Sequence, residues 1–120
     1  MTQPNTSSPK DASPDERRSR RLALPGVLVA IDAPQLAPKP WAVDALDINA
    51  GGLGLVLPEE LPNGMRVELS FRLSEDIEFA RLPAEVRHKW GSSGGVAFLE
   101  WPDHERLRLL EYLVQRFEDE

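Results

Sequence analysis

Arg17 and Arg21 are the only arginines in this chain that stand four residues apart. Each guanidinium is a rigid planar fork that grips a phosphate, or the O6/N7 edge of a guanine, through two hydrogen bonds and stacks on a base. Two such forks on a few residues of mobile chain can wrap opposite ends of one compact anion. A second constellation lies at Asp47-Ile48-Asn49-Ala50-Gly51-Gly52. In a strand, Asp47 and Asn49 fall two residues apart and on one side. A carboxylate accepts two N–H bonds, which suits the N1–H and N2–H₂ edge of guanine, and the neighbouring amide both donates and accepts. Gly52 permits a bulge or a positive φ there and lets a ligand approach the backbone.

The charge distribution narrows the partner. The chain of 120 residues carries 14 basic and 20 acidic side chains, a net charge of −6. Residues 17–21, Arg-Arg-Ser-Arg-Arg, hold four of the basic groups, and the body that follows is strongly acidic. A polynucleotide binder spreads Lys and Arg over a face, because its affinity comes from many phosphate neutralisations. One positive knot on an acidic body points instead to a small anion or one local acidic patch, and to no polynucleotide.

The elements that must position these residues read as follows. Residues 1–16 are mostly Pro, Ser, Thr, Asn and charged residues, too poor in apolar surface to offset their ordering entropy, so a disordered, flexible tail is expected. From Leu22 onward, short apolar stretches separated by turn residues read as an all-β domain. Strands are expected at 26–31, 41–48, 53–57, 65–73, 77–90 and 96–101. Met65, Val67, Leu69, Phe71 and Leu73 alternate cleanly with polar residues, the pattern of a half-buried antiparallel strand. Pro83 marks a bulge, an edge or a bend in the fifth strand, and residues 91–95, Gly-Ser-Ser-Gly-Gly, read as a loop. In the strand 41–48, Trp41, Val43, Ala45 and Asp47 are placed on one face, and Ala42, Asp44, Leu46 and Ile48 on the other. A helix is expected over 103–117, started by Pro102 and Asp103, with Leu107, Leu110, Leu113, Val114 and Phe117 as its apolar stripe. A sheet this small closes best as a barrel, which removes its exposed edges.

Other chemistries find little support. The chain has no cysteine and two histidines, so thiolate catalysis and a Cys-ligated or His-rich metal site are excluded. His88 and His104 read as rim or solvated residues, and Ser92 and Ser93 have no base at recognisable spacing. Trp41, Trp90 and Trp101 read as core or rim packing. No apolar run approaches a membrane span, and the first sixteen residues lack the apolar centre of a signal peptide. The expectation is a cytoplasmic, non-enzymatic domain without membrane insertion, a monomer or weak dimer.

The two constellations together resemble the PilZ domain family. Residues 16–31, ERRSRRLALPGVLVAI, look like its opening segment, and residues 47–58, DINAGGLGLVLP, look like its second motif. The resemblance covers the chain to about residue 117. It implies a six-stranded antiparallel β-barrel with a C-terminal helix. The organisation expected is a tail at 1–16 and the domain at 17–120: an arginine loop at 17–21, a barrel over 22–101 and a helix at 103–117. It also implies a receptor for the bacterial second messenger cyclic di-GMP, a ligand rather than a cofactor. By the resemblance, Arg17 and Arg21 clasp phosphates and guanines while Asp47, Asn49 and Gly52 read a guanine, with Arg18 and Arg20 as possible extra phosphate contacts and no metal. The family usually has Ser where this chain has Asn49. Two functions follow: a receptor that orders its arginine loop on ligand and signals to a protein partner, or a degenerate barrel that serves only as a protein-interaction adaptor.

Overall fold

The computed structural model describes residues 20–90 and 93–119. The expected tail at 1–16, Arg17, Arg18 and Ser92 lie outside the described residues, as do the side chains of His88 and Trp90. Seven strands and one helix follow in order: β1 (Leu22–Ala23), β2 (Leu28–Asp32), β3 (Trp41–Asn49), β4 (Gly52–Val56), β5 (Arg66–Ser74), β6 (Ile77–Trp90), β7 (Ser93–Phe98) and α1 (Asp103–Asp119). All pairings are antiparallel, and the sheet runs β3-β2-β5-β6-β7-β4 before β4 pairs with β3 again. The expected six-stranded barrel is therefore closed, with β1 as an extra strand.

β1 and β2 share one edge of β3. Leu22 and Ala23 pair with Ile48 and Asp47, and Leu28 to Ile31 pair with Asp44 to Trp41. Gly26 sits between them at φ +79°, in the left-handed region where a Cβ is strained. The kink lets the Val27 N–H reach the Leu24 carbonyl before the chain rejoins β3. Leu22 and Leu24, just before it, are buried.

The barrel interior is filled by Val29, Ile31, Ile48, Leu53, Leu55, Leu69, Phe79 and Val86, all essentially without exposure. The alternation of β5 is as the sequence predicts, with Val67, Leu69 and Phe71 inward. β3 departs from strict alternation. Ala45 and Ile48 are both buried, three residues apart, because a bulge between Ala45 and Asp47 shifts the phase of the strand. Leu46, the extra residue of the bulge, faces outward and is exposed. The shift turns Ile48 inward and Asp47 outward, the reverse of the faces expected from strict alternation. In β6 the irregularity lies at Arg81 rather than at Pro83: Arg81 takes φ +58°, and its N–H donates to Ser70 Oγ at 3.0 Å.

Two expected boundaries move at the far side of the sheet. Gly52 is already the first residue of β4, and Ser93, Gly94 and Gly95, read as loop, are the first half of β7. Their composition is that of a loop, but Gly95 is paired on both sides, to Gly54 and Arg87, Ser93 on both sides, to Val56 and Trp90, and Gly94 to Leu55. β7 correspondingly ends at Phe98 rather than at Trp101.

The helix is rotated from its expected stripe. Leu109 and Leu113, one turn apart, are the buried pair, with Tyr112 and Phe117 packed against the core. Leu107 and Val114 face outward at 57% and 55% exposure. The wheel carries apolar residues over two adjacent faces, and the barrel takes the one that includes Leu109. Arg108 stacks over the Phe79 ring at 5.1 Å and so holds this face to the barrel's edge.

Candidate functional site

The β3 bulge has a direct consequence for Asp47. With the phase shifted, Ile48 points into the barrel, and Asp47 and Asn49 fall on the outer side. Asp47 pairs with Gly54 of β4, Gly54 with Gly95 of β7, and Gly95 with Arg87 of β6. Directly paired residues share a face. One row across four strands therefore reads Asp47, Gly54, Gly95, Arg87. The next row on the same face reads Asn49, Gly52, Ala97, Glu85. Small residues thus occupy the middle of both rows, with polar and charged groups at the two margins. Gly95 and Ala97 are partly exposed and form the open floor, while Gly52 and Gly54 are buried, Gly54 beneath the Asp47 carboxylate. A cavity of about 250 Å³ lies on this floor, lined by Arg21, Asn49, Gly52, Arg87, Gly95 and Ala97. Gly51 also borders a second, larger cavity of about 630 Å³ that reaches Phe98 and Trp101.

At the first margin, the Arg21 Nε–H donates to Asp47 Oδ1 at 2.7 Å. Both side chains remain substantially solvent-exposed, at 43% and 34%. The Asp47 carboxylate leans over β4: a Cβ on Gly54 would stand 2.5 Å from Asp47 Oδ1. Gly54 is therefore what gives the acid its room. β1 brings Arg21 there by pairing Ala23 with Asp47, which fixes the arginine-bearing segment to the strand that carries the acid.

Asn49 does a different job from the one its neighbour does. Its side chain is 9% exposed, and Oδ1 accepts the N–H groups of Gly51 and Gly52, both at 2.9 Å. The side chain thus closes the β3–β4 turn as an Asx turn. Gly52 has neither the positive φ nor the bulge that the sequence suggested. It is glycine because a Cβ there would collide with the Val96 carbonyl oxygen across the β4–β7 pairing.

A family model described as the PilZ domain matches residues 15–115. The chain belongs to the PilZ domain family. Among solved structures, the Bacillus subtilis inhibitor of motility, MotI/DgrA, is similar at 22% identity and TM-score 0.65 over 83% of this chain. The chain spans half the length of that protein. An uncharacterized Legionella protein is similar at 16% identity and TM-score 0.52, over 83% of this chain and 95% of its own. These likenesses establish the fold. No curated protein matches the chain.

In this PilZ domain the structure brings together four of the residues singled out from sequence: Arg21, Asp47, Asn49 and Gly52. Arg20 lies apart from the floor, stacked over the Phe117 ring of α1 at 4.3 Å. Sequence reasoning missed Gly54, Gly95 and Arg87. Their signal was present in the register: once Asp47 is placed on β4's neighbour, the residues across from it follow along the row. Among the described residues no cluster of His, Cys, Asp or Glu could hold a metal ion. No described helix is long and apolar enough to cross a membrane.

Proposed function

We propose that this PilZ domain is a receptor for cyclic di-GMP, a binding module rather than an enzyme, acting in the cytoplasm. The observation that carries the reading is the glycine floor beside the Arg21–Asp47 pair. A flat base can approach a backbone closely only where side chains are small or absent, and Gly95 and Ala97 of β7, which line the cavity and are partly exposed, provide that surface beside the Asp47 margin. Asp47 then offers its carboxylate to the N1–H and N2–H₂ edge of the guanine.

The ligand exchanges partners rather than filling vacant ones. In this proposal Arg21 leaves Asp47 for a phosphate or base edge, and Asp47 exchanges one guanidinium for the guanine's two N–H groups. Arg17 supplies the second fork, and Arg18 is a further phosphate contact of the same segment. Asn49 acts on the guanine indirectly, by holding the turn that sets Gly52 in place. Arg20 serves the helix instead. Because Arg20 stacks on Phe117, rearrangement of the arginine segment reaches the end of α1 and changes the surface offered to a protein partner.

Isothermal calorimetry with cyclic di-GMP tests the reading, with GMP as the control. Saturable binding of the dinucleotide, lost in Arg21→Ala and Asp47→Ala, is the expected result. A folded barrel that releases no heat with cyclic di-GMP and shows no shift in its melting temperature would overturn the receptor reading and leave the adaptor reading as the better account.

A further inference from the structure

We propose that Arg87 is a ligand-contacting residue of this site, one that reads the O6/N7 edge of the guanine from the margin opposite Asp47. The inference rests on the cyclic di-GMP reading and specifies what the far side of the floor does. Arg87 stands in the same row as Asp47, three strand spacings away, with only Gly54 and Gly95 between them. Three spacings amount to about 14 Å between backbones. Arg87 lines the cavity shared with Arg21 and Asn49, and its side chain is about half exposed, within reach of a bound base.

The chemistry at the two margins is complementary to one base in one orientation. Guanine carries its donors, N1–H and N2–H₂, on one side and its acceptor N7, with O6, on the side turned away from them. A carboxylate at the first margin needs the donors, and a guanidinium at the second needs the acceptors. Adenine inverts the pattern, because it presents an N6–H₂ donor where guanine has O6.

Glu85 holds Arg87 in place. Its Oε1 accepts from Arg87 Nη2 at 2.8 Å and from Nε at 3.3 Å, two residues along the same face of β6. The base therefore competes with Glu85 for the guanidinium, just as it competes with Arg21 for Asp47. The site is set with an ion pair at each margin, and one guanine takes a partner from each.

The test uses the full chain, cyclic di-GMP and its 7-deazaguanine analogue, in which N7 is replaced by C–H. The unaltered protein should bind the natural ligand more tightly than the analogue. Arg87→Ala should weaken the natural ligand roughly ten- to hundredfold, the range for a bidentate arginine–guanine pair, and abolish the preference over the analogue. Arg87→Lys should lie between the two, since it keeps the charge and loses the fork. Glu85→Gln should tighten binding a few-fold by releasing the guanidinium. Thermal unfolding should be nearly unchanged in all three, because these side chains stand outside the core. Equal binding by Arg87→Ala and the parent overturns the assignment while leaving the receptor reading intact. An equal loss for both ligands in Arg87→Ala shows a phosphate contact and overturns the base-edge assignment. Failure of the unaltered chain to bind either ligand overturns the receptor reading, and this one with it.

Discussion

Two rows of residues cross the same four strands, one step apart. The inner row, Ile48, Leu53, Val96 and Val86, is apolar throughout and buried. The outer row, Asp47, Gly54, Gly95 and Arg87, is charged at its ends and bare in the middle. They share one hydrogen-bonded sheet and differ only in the face their side chains take. The inner row stabilises by filling space with branched carbon. The outer row has no side chains at its centre, where Gly54 lies beneath the Asp47 carboxylate and Gly95 is partly open. Glycine in the middle of a strand costs about 0.5–1 kcal/mol relative to alanine. Two glycines paired across β4 and β7 are a local cost that the inner row offsets.

The contrast predicts separable effects, and the largest belongs to the inner row. Ile48→Ala removes a fully buried side chain and should lower stability by about 2–5 kcal/mol, measured by urea unfolding, while the folded fraction keeps its ligand affinity. In the outer row the loss should fall on binding. Arg21→Ala should cost about 1.5–3 kcal/mol of cyclic di-GMP affinity by calorimetry, the scale of a charged hydrogen bond. Its cost in stability should stay within about 1 kcal/mol, since the pair with Asp47 is exposed. Gly54→Ala, which crowds the Asp47 carboxylate, should resemble Arg21→Ala in losing affinity. Asn49 sharpens the contrast, because it lies on the outer side yet serves the fold. Asn49→Ala strands two turn N–H groups and should destabilise by about 1–2 kcal/mol. Asn49→Ser, whose hydroxyl can still accept from that turn, should lose less stability and keep its binding. The smallest effect is expected on α1, where Val114→Ser should shift stability by no more than about 0.5 kcal/mol because Val114 stands in solvent. A change in Val114→Ser as large as that in Ile48→Ala would show the exposed face to be part of the core.

Much of this was legible in the sequence. The barrel, the terminal helix and the Asp47 motif follow from alternation, turn residues and the spacing of a few polar groups. The helix stripe was read from Leu107 rather than Leu109 because an apolar residue on a wheel does not say which of two adjacent faces meets the barrel. The bulge at Leu46 was not legible either, since a phase shift in a strand is set by its neighbours' register. Ser93 to Gly95 read as loop for a more general reason. Composition records what a segment lacks, and here two neighbouring strands supply the pairing that its small side chains do not signal.

The pairing order divides the barrel into two three-stranded meanders, β2-β3-β4 and β5-β6-β7, each joined by neighbouring pairings within itself. Only the seams β2–β5 and β4–β7 connect the halves, and each joins residues about a third of the chain apart. Loop-closure entropy opposes such pairings most strongly as the chain folds. The glycine floor straddles the β4–β7 seam, with Asp47 and Arg21 on one half and Arg87 and Glu85 on the other. Neither half alone carries both margins of the proposed site, so a bound ligand would report that the ring has closed. A ligand that binds only the closed ring stabilises it by mass action, about 2.7 kcal/mol at a hundredfold excess over Kd. That stabilisation would appear as slowed hydrogen exchange at the amides of Leu53 to Leu55 and Gly94 to Val96, where the two halves meet.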